Sequence, residues 1–271
     1  MTTQQLIYET AVPVNSGRHA QCSVDVGSDY SFVRNLNSLP LMAVEFPLAA
    51  SDYAIVFAGS ADTVTPVVIL GVRGNENLFL SKDGAWQAKY IPAFVRRYPF
   101  VFSSSADEKT FTLCIDEKFP GLNSEGRGQP LFNEDGKATP YVDGVLKFLQ
   151  DYRGQHLLTQ QFCKKLIELE LLEPMEAQFT LGSGEKMSLN GFMVVNRKKL
   201  NELPGEVLSE LAKTDQLELT YLHLQSMHNF NAVKDRLVLI HGGKGDADKP
   251  GGEAVEAETK ATDGKGAKRK G

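Results

Sequence analysis

Two adjacent arginines, Arg96 and Arg97, stand in a stretch of the chain that is rich in rings. The segment from Asn77 to Trp86 runs into Tyr90-Ile-Pro-Ala-Phe-Val-Arg-Arg-Tyr-Pro-Phe100, which gathers the only tryptophan, Phe79, Phe94, Phe100, Tyr90 and Tyr98 around them. A guanidinium is a planar fork that matches a carboxylate or phosphate and stacks on aromatic faces. Arginine among aromatic residues is also enriched where partners bind. Trp86, Tyr90, Arg96, Arg97 and Tyr98 are therefore the candidate partner-binding residues. The same pattern also suits a core, with Trp86, Phe94 and Phe100 buried and one arginine paired to an internal carboxylate such as Glu45.

A second chemistry stays open beside the first. Glu45, Tyr90, Arg96 or Arg97, and His223 come from distant segments and can form a pocket in which Arg orients an anionic substrate. Glu45 or His223 would then serve as general base, the candidate catalytic residues of this alternative. Other motifs fail on spacing. The five histidines include no H-E-x-x-H, and His223 and His228 lie roughly 140° apart on a helix, so no shared metal is expected. Gly182-Ser-Gly-Glu lacks the phosphate-loop frame and reads as a hairpin turn. Asn133-Glu-Asp-Gly136 lacks a calcium-loop frame and reads as a turn as well. Cys22, Cys114 and Cys163 match no zinc or redox pattern and are expected as buried thiols. No cofactor is expected.

Composition narrows the partner. Of 271 residues, 42% are hydrophobic, and 29 basic residues against 34 acidic give a net charge of −5. That excludes a global basic field for nucleic acid, and no apolar run approaches the roughly 20 residues of a membrane-spanning helix. A protein or peptide partner is the expectation, with homo-oligomerisation left open. The opening residues show no basic and apolar leader pattern, and three scattered cysteines fit a reducing compartment, so a cytoplasmic location is expected. Residues 1–241 read as one globular domain. From Gly242 to Gly271 the only hydrophobic residues are alanines and Val255, so that segment is expected to be a disordered, charged tail.

The elements that must position these residues read as α+β, with a mixed, mainly antiparallel sheet from the N-terminal half and helices mostly from the C-terminal half. Strands are expected at 42–46, 53–57, 67–72, 77–80 and 111–115, with 46–50 an alternative short helix opening at Pro47. Lys82-Asp83-Gly84 is a turn. Thr139-Pro140 opens a helix carrying Val142, Val145, Leu146 and Leu149. Gly154 interrupts it, and a second helix runs from Thr159 to a stop at Pro174. A hairpin pairs 178–181 with 187–195, a helix surrounds Val207 to Leu211, and 217–221 leans to helix, continuing through Ile240.

These residues carry a resemblance. Glu45-Phe46, Tyr53-Ala-Ile-Val-Phe57, Asn77-Leu-Phe79, Gly84-Ala-Trp86, Tyr90-Ile-Pro92 and Arg96-Arg-Tyr-Pro-Phe100 open a pattern that continues through Cys114-Ile-Asp116, Leu131-Phe132, Asp135-Gly136 and Leu189-Asn-Gly-Phe192 to Tyr221-Leu-His223-Leu-Gln-Ser226. The sequence resembles the SapC family of bacterial proteins over nearly all of residues 6 to 240. It departs at Ala54, where the family typically has proline. The resemblance implies an association with a bacterial surface layer and carries no assigned reaction. An accessory role is the expectation, ahead of the ligand-pocket alternative and of a structural surface-layer component.

Overall fold

The computed structural model describes residues 7–60, 63–105, 109–181 and 184–241. Its strands are β1 (Ala11–Pro13), β2 (Ser23–Val24), β3 (Ser38–Pro40), β4 (Ile55–Ser60), β5 (Thr63–Ile69), β6 (Phe100–Ser104), β7 (Phe111–Asp116), β8 (Leu122–Asn123), β9 (Gln129–Pro130), β10 (Leu172–Thr180) and β11 (Lys186–Val195). Its helices are α1 (Ser16–His19), α2 (Phe46–Ala49), α3 (Ala93–Arg96), α4 (Pro140–Glu168), α5 (Arg197–Asn201), α6 (Gly205–Lys213), α7 (Gln216–Ser226) and α8 (Phe230–His241). The largest sheet has the order β10-β11-β4-β5-β3, and two small sheets are ordered β1-β7-β6 and β8-β2-β9. Every neighbouring pair is antiparallel. The class is α+β, as the strand-first, helix-later pattern implies.

Strand β4 lies inside the sheet with Ile55, Val56 and Phe57 all buried, which explains its unbroken apolar run. One hydrophobic cluster joins it to Phe46 and Phe162, to Leu149 on α4, and to Val233 and Leu237 on α8. Helix α4 is continuous for 29 residues. Gly154 does not interrupt it, because an interior glycine costs only about 1 kcal/mol relative to alanine and the helix buries Val142, Leu149, Thr159, Phe162, Cys163 and Leu166 on both sides of that position. Pro174 is no helix stop either. It sits in β10, the edge strand, where a missing N–H is tolerated.

Two expected strands are absent. Residues 43–45 form a 3-10 turn leading into α2, since the Glu45 side chain reaches back to the Met42 N–H and Pro47 favours a helical start. Of 77–80, only Leu80 pairs, opposite Trp86, around a turn in which Gly84 takes a φ of +81°. The hairpin of β10 and β11 forms with Thr180 opposite Lys186, while Gly182, Ser183 and the expected tail at 242–271 lie outside the described residues. Helices α7 and α8 replace the single run through Ile240, broken by a 3-10 turn at Met227–Asn229 whose Asn229 side chain donates to the carbonyls of Ala50 and Tyr53.

A side chain completes the sheet at one point. β11 and β4 pair at Phe192↔Ala58 and Met193↔Phe57, and the same register would set Val195 opposite Ile55. There the imidazole of His223, from α7, stands between the strands. The Val195 N–H donates to Nε2 at 3.0 Å, and Nδ1 lies 2.7 Å from the Ile55 carbonyl. The accepting Nε2 assigns the proton to Nδ1, which donates to Ile55. Ser226, one turn on, accepts the Ile55 N–H at 3.0 Å.

Candidate functional site

The two arginines enter the site from a single turn of helix. Pro92 begins it, α3 buries Ala93, Phe94 and Val95, and the chain then passes through Tyr98 into β6. Consecutive helical residues point about 100° apart, so Arg96 emerges to solvent while Arg97 is only 4% exposed.

Arg96 is held on its way out. Its Nε donates to the Ile91 carbonyl at 3.0 Å, and its guanidinium lies 5.7 Å from the Tyr90 ring centre and 5.5 Å from that of Phe148 on α4. Its Nη2 donates to the Tyr90 hydroxyl at 3.2 Å, which in turn donates to Glu45 at 2.7 Å. Burial and the neighbouring Glu45 push the Tyr90 phenol up to about 12, so it remains a donor. Glu45 also accepts the N–H groups of Ala93 at 2.6 Å and Met42 at 2.8 Å. Arg96 thus reaches Glu45 through a relay by way of Tyr90. Thr159 of α4 accepts the Ala43 N–H at 2.8 Å and ties the Glu45 turn to the helix.

Arg97 turns inward among rings, with its guanidinium 4.3 Å from Phe94, 5.1 Å from Tyr152 and 5.7 Å from Tyr8. Tyr98 stacks on Phe32 at 4.2 Å and donates to Asp116 at 3.3 Å. Burial and Asp116 raise its pKa. Trp86 is half-buried, its indole N–H donating to the Tyr53 hydroxyl at 2.7 Å.

Of the five candidate binding residues, Arg96, Arg97 and Tyr98 meet at one groove of about 340 Å³ against the first turns of α4, with Val26, Gly144 and Phe148. Tyr90 lies outside its lining and braces it through Arg96, and Trp86 lies outside it as well. His223 does not join them. It packs on Phe57 and bridges Ile55 to Val195, and burial pushes its pKa down to about 4. With both ring nitrogens engaged, it is withdrawn from the proposed base role. Residues of α4 that sequence reading passed over, Phe148, Tyr152, Arg153 and His156, face Arg96 or Arg97 or share a cavity with them. The i, i+4 spacing of Tyr152 and His156 was the available signal.

Among the described residues no helix is long and apolar enough to cross a membrane, and no group of three or more His, Cys, Asp and Glu is placed to hold a metal. No curated protein and no solved structure matches the chain. A family model does, over residues 14–233, and on that match across most of its length the chain belongs to the SapC family.

Proposed function

We propose that this protein is a cytoplasmic accessory protein of surface-layer or envelope systems that binds an extended peptide segment of a partner, acidic and apolar in character. The observation that carries this reading is the composition of the groove beside α4. Arg96 brings a positive charge to the surface, with that of Arg97 buried beneath it, and the rest of the lining is rings and small residues, including Val26, which is 46% exposed. No carboxylate is among its described lining residues. An acidic side chain would meet the Arg96 fork while an aromatic or branched neighbour covers Phe148 and Val26. Residues 1–241 would act as the binding unit, with 242–271 dispensable.

Gly144 supplies a test that separates binding from folding. A Cβ built there meets nothing within 4 Å, so Gly144→Leu fills the groove while gaining about 1 kcal/mol of helix propensity. Fluorescein-labelled hexapeptides alternating Glu with Phe or Leu are the probe, and versions with Lys for Glu are the control. Fluorescence anisotropy is expected to show saturable binding of the acidic set only. Arg96→Glu should weaken it about tenfold or more, and Gly144→Leu should abolish it with no loss of thermal stability. Arg97→Ala should impair binding more than deletion of 242–271. Equal binding of the Lys peptides, or unchanged binding by Gly144→Leu, would refute the reading.

A further inference from the structure

Farther along α4, residues 149–160 cover a second cavity of about 270 Å³ over β6 and β7. Its chemistry differs from that of the groove. Arg97, Arg153 and His156 enter it together, against a wall that includes Phe102, Phe111 and Leu149. The Arg153 guanidinium lies over the Phe111 ring at 3.7 Å, which fixes it in place, and the rings of Phe94 and Tyr152 fix Arg97. No carboxylate is among its described lining residues.

From this convergence we infer that the cavity is a binding site for a small organic anion, a carboxylate carried on an aromatic or short aliphatic body. The body is set by the apolar wall and the volume. A cavity of about 150 Å³ takes a benzene ring, so the space here fits a ring with a short acidic arm. The acid is set by the Arg153 guanidinium, which offers paired N–H donors beside the Arg97 charge, in a partly water-excluded place where such bonds are strong. His156 adds a third donor. Burial and the nearby Arg97 charge hold its pKa below the usual histidine value, and an incoming anion offsets that charge. Arg97 lines both the cavity and the peptide groove, but variants separate the two: Arg153 and His156 line only this cavity, and Gly144 and Arg96 line only the other.

Isothermal titration calorimetry of the full chain with 3-phenylpropanoate tests it, using 3-phenylpropan-1-ol and inorganic phosphate as the two halves of the ligand. The acid is expected to bind one site with a Kd near or below about 1 mM, and each half at least about tenfold more weakly. Arg153→Gln, an exposed position whose change spares the core, and His156→Gln should each weaken the acid several-fold and leave the alcohol unchanged. Gly144→Leu should leave acid binding intact. Acid and alcohol binding alike, phosphate binding as well as the acid, an unaffected Arg153→Gln, or no saturable heat with the acid would each overturn the proposal.

Discussion

Replacing His223 by alanine is expected to destabilise the fold by about 3–5 kcal/mol, a large share of the 5–15 kcal/mol typical of a domain. The reason is its place between β4 and β11. The imidazole is fully buried and is the bridge between the Val195 N–H and the Ile55 carbonyl. Alanine leaves both backbone groups without that partner and opens a space beside Phe57. The same geometry predicts a pH dependence. In the folded state the pKa lies at about 4, against 6.5 for the free side chain. Protonation would place an N–H on Nε2 facing the Val195 N–H. Below about pH 6.5 the unfolded chain takes up a proton that the folded chain refuses, so stability is full above that value and falls as the pH drops toward 4, by about 3 kcal/mol. Urea unfolding from pH 8 to 4 should show this loss in the native chain and lack it in His223→Gln, whose amide can still bridge. Parallel pH profiles would show that His223 does not carry the effect.

That bridge also shows where sequence reading reaches its end. The segment from Tyr221 to Ser226 reads as helix from its apolar spacing, and α7 forms there. What His223 does depends on a register between β4 and β11 that nothing local encodes. Local chemistry does place the turns at Gly84 and Gly136, since both adopt positive φ, and Pro47 in a helical start is legible for the same kind of reason. Gly154 and Pro174 mislead because their usual effects are overridden, one by burial along α4 and the other by an edge position in the sheet. The candidate site divides likewise. The Arg96-Arg97 pair is conspicuous in the sequence, and the rings around it can be read equally as core or as surface. Their division is settled by α3, whose helical step sends one guanidinium out over Phe148 and the other in toward Tyr152. Phe111 meets Arg153, and Phe102 lines the same cavity, because β6 and β7 pair beneath α4.

Asp116 is expected to be nearly as sensitive as His223, although it lies at the end of a strand and outside both cavities. Its side chain is fully buried at the close of β7. Oδ1 accepts the N–H groups of Thr10 at 2.9 Å and Lys118 at 3.0 Å, and Oδ2 accepts that of Glu9 at 2.8 Å and the Tyr98 hydroxyl. One side chain thus fastens the segment entering β1, the turn leaving β7, and the ring next to Arg97. An amide of the same shape keeps one accepting oxygen and turns an NH2 toward donors. Asp116→Asn should therefore cost about 2–4 kcal/mol and lower the melting temperature by about 5–10 °C. Asp116→Ala should cost more. Because the loss is spread over three attachments, the Asn variant should remain folded while the amides of Glu9 and Thr10 exchange with solvent well ahead of those in β6 and β7. Hydrogen exchange read residue by residue distinguishes this from general loosening. Unchanged protection at Glu9 and Thr10, with a melting temperature within a degree or two of the native chain, would mean that Asp116 is a passive buried acid. Tyr98 would then need another anchor to hold the wall of the Arg96 groove.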